Sequence, residues 1–171
     1  MPPLPLAPKV RAPQGACDTH AHMLAGPDDF PLWDGRVENP AQGIDFEGWL
    51  DLYKDNLSAL GCMRGVIVHS IFYGSDNSVT AEAVRRLGPN FRGIGLLCDG
   101  AGASEVEQFV DWNMAGVRLN YVHGVGLVQK LWHRRWLPMG CISRCSCTCI
   151  FILTKSLRIS QLCKCRFVLI T

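Results

Sequence analysis

Residues 15–22, Gly-Ala-Cys-Asp-Thr-His-Ala-His, predict a short β-strand that ends in two histidines. Side chains two residues apart lie on the same face of a strand, so His20 and His22 would point the same way. In parallel α/β folds, the carboxyl ends of the strands carry the functional residues. Two imidazoles at such an edge could bind a divalent cation or contact an anionic oxygen, whereas two polar residues at an ordinary strand end would do neither.

Strand and helix patterns alternate over the first 120 residues. Asp45 is suited to begin the first helix and Gly61 to end it, because Asp accepts hydrogen bonds from free amides and Gly adopts the left-handed backbone. Asn77 or Ser78 is expected to cap the second helix. The β-branched run at 65–68 is typical of a buried strand. The predicted elements are strands at 16–22, 65–68, 92–97 and 116–120, and helices at 45–60, 77–87 and 104–112.

This order of elements predicts an α/β fold with a parallel sheet and right-handed crossovers. A closed (β/α)8 barrel takes about 250 residues, so four strands and three helices amount to its N-terminal half. We therefore predict that residues 1–123 form a partial TIM-like barrel. The strand at 116–120 would then have an open edge.

Residue usage changes abruptly after Asp111. All 15 acidic residues lie at or before that position, with 8 basic residues against them, which gives this part a net charge of −7. The residues that follow include 9 basic and no acidic ones, and six of the nine cysteines fall between Cys141 and Cys165. Such a break is unusual within one domain, so we predict that residues 124–171, called the tail below, are unrelated to the barrel. An out-of-frame or intron-derived ending would have this composition.

The tail gives weak evidence for a ligand. Cys145, Cys147 and Cys149 would share one face of a strand, but no Cys-x-x-Cys pair is present, and His133 precedes all six tail cysteines. The basic residues alternate with Cys, Ile and Leu rather than with aromatic residues, which does not favour a nucleic-acid or membrane partner.

The rest of the chain indicates a cytoplasmic protein. Prolines within residues 1–8 interrupt the apolar helix that a secretory signal requires, so this segment is predicted to be an extended leader. No segment has the roughly 20 consecutive apolar residues of a membrane span. Cys17, Cys62 and Cys98 fall within predicted elements or at their ends, which suits reduced thiols in the cytosol.

Several motifs occur in order along residues 12–123. They are GACDTHAH at 15–22, GP at 26–27 with FP at 30–31, LG at 60–61 leading to RGVIV at 64–68, YGSDN at 73–77, RGI at 92–94 and GVRLNY at 116–121. As an ordered set they resemble the amidohydrolase-related family, in particular its 2-pyrone-4,6-dicarboxylate lactonase-like branch. The resemblance implies an amidohydrolase-type TIM barrel and a hydrolase in which water opens a lactone or related bond of a small carboxylated substrate.

The resemblance also implies site residues. His20 and His22 match a first-strand pair that binds a divalent metal such as Zn²⁺ or Mn²⁺ in many superfamily members and holds a substrate oxygen in lactonases that need no metal. Arg118 matches an arginine that grips a substrate carboxylate, although it could equally be an inward barrel residue paired to a carboxylate of the protein. Tyr73 lies in a loop where relatives place substrate-contacting residues, and it could equally pack the barrel rim.

Three departures from the family pattern bear on activity. Relatives often carry a serine at the position of Ile71, one step from Ser70, and a second substrate arginine falls here on Gly124. The family's later strands supply a further histidine and the aspartate that activates water, but no Asp follows Asp111. Without a general base the hydrolysis has no proton acceptor, so we expect this chain to be truncated and inactive relative to its parent type.

Two other functions stay open. The half barrel and the basic tail could form a non-catalytic binding or interaction module. Alternatively, the tail cysteines could form the centre of a redox or zinc-binding protein.

Overall fold

The computed structural model describes residues 5–97, 101–119 and 149–152. Its strands are β1 (Cys17–Ala21), β2 (Arg64–Val68), β3 (Phe91–Gly95), β4 (Met114–Leu119) and β5 (Cys149–Ile152), and its helices are α1 (Phe46–Leu60), α2 (Ser78–Leu87) and α3 (Ala103–Asp111). A short 3-10 turn, Ile71–Tyr73, follows β2. No helix in these ranges could cross a membrane, since α1, the longest, has 15 residues.

The strands form one sheet in the order β1-β2-β3-β4-β5. The first four strands are parallel to one another, with helices between them in the chain, so the predicted parallel α/β arrangement is confirmed. All four predicted strands and all three predicted helices are present, with ends within a few residues of those expected. Parallel pairing places the carboxyl ends of β1 to β4 at one edge of the sheet.

The expectation of an open edge at β4 is wrong. Strand β5, from the tail, pairs antiparallel with β4, and Gly116 lies opposite Ile152 in the ladder. The paired segment reads Cys-Ile-Phe-Ile, and β-branched and aromatic residues of this kind favour strands whatever the surrounding sequence. The predictions for the other tail cysteines, His133 and Gly124 lie outside the described residues.

The helix ends show one agreement and one correction. Asp45 begins α1 by accepting the Gly48 N–H at 2.8 Å, and Gly61 ends it in the left-handed conformation, both as predicted. Asn77 precedes α2, but its side chain does not cap the helix. Its side-chain amide instead donates to the Leu96 C=O and accepts from the Leu96 N–H. An amide group can do both, so Asn77 satisfies the backbone just beyond β3.

The core also fixes which side of the sheet carries the site. Val117 of β4 packs with Phe109 of α3 and Met114, on the side of the sheet that the helices cover. Because neighbouring side chains of a strand point to opposite faces, Arg118 lies on the other side. The site is therefore expected on the face away from the helices, at the carboxyl edge.

Candidate active site

The two predicted histidines lie together at the end of β1. Their Nε2 atoms are 3.3 Å apart, and the rings are nearly perpendicular, with an interplanar angle of 87°. Both residues are exposed, although the hydrogen bond that His22 makes to Val68 is partly buried. The predicted same-side placement of the two rings is thus observed.

Hydrogen bonding assigns the protons of this pair. His22 Nδ1 lies 2.7 Å from the carbonyl oxygen of Val68, and because a carbonyl only accepts, that nitrogen must carry the proton. Nε2 of neutral His22 is then an acceptor, and His20 Nε2–H donates to it. Burial, and next the charge of Arg118, lowers the pKa of His20, and burial is also the largest cause of the lowered pKa of His22. Both rings are therefore neutral at neutral pH.

The pair fits two positions of a divalent metal site. Zinc–nitrogen bonds of about 2.0–2.1 Å place two tetrahedral ligands about 3.3–3.4 Å apart, which is the separation of these Nε2 atoms. The bond from His22 Nδ1 to a backbone carbonyl is also the usual orienting contact of a metal-bound histidine. Catalytic zinc takes three protein ligands, however, and the described residues contain no cluster of three suitable side chains.

Arg118 reaches the same edge from β4. Its Nη1 donates to the carbonyl oxygen of His69 at 2.6 Å, and burial lowers its pKa. The predicted alternative, a pairing with a protein carboxylate, is not found: none of the ion pairs among the described residues involves Arg118. Its Nε is buried and has no hydrogen-bond partner there. The guanidinium is therefore a half-buried cation that lacks an anionic partner in the described part of the chain.

Tyr73 is positioned as a packing residue. It is 3% exposed, and its hydroxyl accepts the Ala25 N–H at 2.7 Å and donates to the Ala25 carbonyl at 3.2 Å. The ring thus attaches the loop that follows β1 to the turn that follows β2. This is the rim-packing arrangement kept as an alternative in the sequence analysis. The substrate-contacting role stays a prediction.

His69, directly after β2, was missed in the sequence analysis. It is fully buried, its Nε2 lies 2.9 Å from the Gly74 carbonyl, and its Nδ1 lies 3.0 Å from Thr80 Oγ1. Burial lowers its pKa to about 4, so the ring is neutral. Its position immediately after the β-branched run of β2 could have indicated a residue of the site, because the carboxyl ends of the parallel strands lie at one edge of the sheet.

The strand that carries the histidine pair contains a bulge. Between Asp18 and Ala21, β1 advances three residues while β2 advances two, from Gly65 to Ile67. Bulges of this kind redirect side chains next to functional sites. Asp18 Oδ1 accepts the His20 N–H at 3.2 Å, and Oδ2 accepts the hydroxyl of Tyr53, on α1, at 3.1 Å. The bulge is therefore attached to the helix layer while His20 stays exposed.

Ser70 contributes to the turn after β2. Its Oγ accepts the Phe72 N–H at 3.4 Å at the start of the 3-10 turn, and the residue is 5% exposed. Ile71, the position at which relatives often carry serine, is the first residue of that turn. The serine of this chain thus stabilises local backbone.

Comparison with curated proteins gives relatives of one kind. The chain is 29% identical over 118 residues to a 2-pyrone-4,6-dicarboxylate hydrolase from Comamonas testosteroni. The aligned segment covers 69% of this chain and 37% of that protein. It is also 33% identical over 116 residues to a 4-sulfomuconolactone hydrolase from Hydrogenophaga intermedia. That alignment covers 67% of this chain and 37% of the relative. The matched segment of this chain is similar to a little over a third of the length of proteins named as pyrone dicarboxylate and sulfomuconolactone hydrolases. The predicted resemblance is confirmed. No protein-family model matches the chain.

Solved structures of similar fold cover much of the same chain. An Agrobacterium tumefaciens protein in its apo form superposes with a TM-score of 0.61 at 20% identity, over 76% of this chain and 46% of that protein, which supports the fold. A candidate 2-pyrone-4,6-dicarboxylic acid hydrolase from Pseudomonas putida gives a TM-score of 0.51 at 26% identity, over 64% of this chain and 38% of its own. The chain thus spans less than half the length of each of these proteins.

Proposed function

We propose that the carboxyl edge of this sheet binds a carboxylate of a small anionic lactone, as the binding half of a hydrolase site. The observation that carries the proposal is Arg118, whose half-buried guanidinium lacks an acidic partner in the described structure. A desolvated cation is stable only when it is paired, and a substrate carboxylate would supply the missing charge. The two curated relatives support this substrate class, since their names refer to a pyrone dicarboxylate and a sulfonated lactone.

The geometry of the guanidinium suits a carboxylate. Nη1 is already bonded to the His69 carbonyl, which fixes the plane of the group. Nε is buried and has no partner among the described residues, so a carboxylate oxygen that displaced the atoms covering it would satisfy this donor. Arginine presents a rigid pair of donors to a carboxylate, which lysine cannot do.

We propose that His20 and His22 contact the oxygen of the scissile carbonyl or hold a divalent cation next to it. The exposed His20 ring carries an Nε2 proton, which it donates to His22. When a substrate is bound, the same N–H would instead donate its hydrogen bond to a substrate oxygen. If Zn²⁺ or Mn²⁺ were bound, His20 would have to carry its proton on Nδ1 instead, so that both Nε2 atoms could be ligands, and the metal would supply Lewis-acid activation of the carbonyl or of water.

Our proposal assigns binding, and not turnover, to the described residues. Within them no Asp or Glu side chain is hydrogen-bonded to the rings of His20 or His22, and the ring of His69 is occupied by Thr80 and Gly74. We propose that β1 to β4 are the first four strands of a (β/α)8 barrel, that residues 1–123 form this unit, and that the water-activating base belongs to strands beyond it.

The test is a binding measurement with isophthalate, a planar ring that carries two carboxylates in a 1,3 arrangement, and with neutral isophthalamide as control. Isothermal titration of the full chain should detect isophthalate only. Arg118→Met should weaken isophthalate binding about 30-fold or more, because a charge-assisted contact contributes about 2 kcal/mol or more. Equal binding of the two compounds, or an unchanged affinity in Arg118→Met, would contradict the proposal.

A further inference from the structure

His69 is a buried histidine that the proposed chemistry does not use. Its carbonyl can accept from Arg118 whatever its side chain is, so the buried imidazole needs a separate explanation. Each ring nitrogen is bonded to the protein, and together the two partners span two elements: Gly74 in the turn after β2, and Thr80, 1% exposed, on α2.

The protons of this second histidine follow from its partners. The Gly74 carbonyl only accepts, so His69 donates through Nε2–H. Nδ1 is then an acceptor, and it takes the hydroxyl proton of Thr80 at 3.0 Å. One ring orientation and one tautomer satisfy both partners. The imidazole is therefore fixed to α2 on one side and to the turn on the other.

The backbone next to this ring carries the anchors of the proposed site. The His69 N–H donates to the Ile94 carbonyl at 2.8 Å, and the His69 carbonyl accepts from Arg118. The preceding carbonyl, that of Val68, accepts from His22 Nδ1. A displacement of residues 68–69 would thus move an acceptor of each of the two side chains that are proposed to bind the substrate.

We propose that Thr80 and His69 are positioning residues, which fix Arg118 and His22 through the backbone at the end of β2. This inference rests on the proposed carboxylate site. The hydroxyl of Thr80 holds the His69 ring, the ring holds residues 68–74, and the two carbonyls set where the guanidinium and the His22 imidazole lie. A helix that packs on the far side of the sheet thereby influences substrate binding without contacting the substrate.

Three variants separate positioning from stability. Thr80→Val keeps the shape of the side chain but removes its hydroxyl, which leaves His69 Nδ1 buried and unpaired. Thr80→Ser retains the hydroxyl. Val79→Ala is the matched control, because Val79 is the preceding residue of α2, is fully buried and has no polar side-chain atom that could hydrogen-bond to the His69 ring. Both Thr80→Val and Val79→Ala should destabilise the fold.

Two readouts are measured at a temperature where every variant is folded. Isophthalate affinity should fall about tenfold in Thr80→Val and stay within about threefold of the starting protein in Thr80→Ser and Val79→Ala. In the ring ¹⁵N NMR spectrum near pH 8, where histidines are neutral, His22 should be the Nδ1–H tautomer in the starting protein and in both comparison variants. In Thr80→Val it should become a mixture of tautomers.

The two readouts also separate the failure of this inference from failure of the proposed site. If the starting protein does not bind isophthalate, the carboxylate site is wrong, and the His22 tautomer alone decides the positioning role. An unchanged tautomer in Thr80→Val would overturn that role. So would equal losses of affinity in Thr80→Val and Val79→Ala, because general destabilisation would then explain both.

Discussion

His22 and Arg118 are held by consecutive carbonyl oxygens at the end of β2. The Val68 carbonyl accepts from His22 Nδ1 at 2.7 Å, and the His69 carbonyl accepts from Arg118 Nη1 at 2.6 Å. Successive carbonyls of an extended chain point to opposite neighbours, so one faces β1 and the other faces β3 and β4. The end of a central strand thus sets the relative position of two side chains that come from β1 and β4.

Because the proposed role is substrate binding, we predict that this chain does not hydrolyse its proposed substrate. Incubation with 2-pyrone-4,6-dicarboxylate, followed by the change in ultraviolet absorbance, should show no turnover, because a hydrolysis without a general base lacks its proton acceptor. The control is the double variant His20→Ala, His22→Ala, prepared in the same way. Turnover in the starting protein that disappears in the double variant would contradict the prediction.

The stability of the fold should decrease in acid because of His69. Its pKa is about 4 in the folded chain and 6.5 in the reference state, so between these values the unfolded chain binds a proton that the folded chain does not. This contribution to the free energy of unfolding is fully present above about pH 6.5 and falls by up to about 3 kcal/mol as the pH approaches 4.

Urea denaturation of the starting protein and of His69→Gln at a series of pH values tests this dependence. The variant will be less stable near neutral pH, but its loss of stability between about pH 6.5 and pH 4 should be smaller. The pKa values of His20 and His22 are also lowered, and both proteins retain these groups, so the difference between the two curves isolates His69. Parallel curves would show that His69 is not the group responsible.

Predictability from the sequence was greatest where neighbouring residues decide the structure. The Asp45 cap, the Gly61 stop and the same-side placement of His20 and His22 follow from local backbone rules. His69 could not be assigned a role, because its partners Gly74 and Thr80 are brought to it by the turn and by α2. The pairing of β5 with β4 joins residues 30 to 36 positions apart, and no local pattern reports such a contact.

Gly65 should be required for the contact between α1 and β2. A Cβ atom at this position would lie 2.5 Å from the Tyr53 hydroxyl and 2.8 Å from the Phe91 ring, closer than atoms can pack. Gly65→Ala should therefore destabilise the chain by about 1–3 kcal/mol in urea denaturation. Gly26→Ala is the control, since its nearest contact would be 3.9 Å away. Equal stabilities of the two variants would show that this packing is looser than described.

The hydroxyls of Tyr53 and Tyr73 should protect two different amides. Tyr53 bonds to Asp18, which in turn accepts the His20 N–H, whereas Tyr73 bonds directly to the Ala25 N–H. Tyr53→Phe should therefore speed hydrogen exchange at the His20 amide and leave Ala25 unchanged, and Tyr73→Phe should do the reverse. Each variant keeps its aromatic ring, so each serves as the control for the other. If both variants sped exchange at both amides, the hydroxyls would act through overall stability, and the proposed attachment of the β1 bulge to α1 through Asp18 would have to be abandoned.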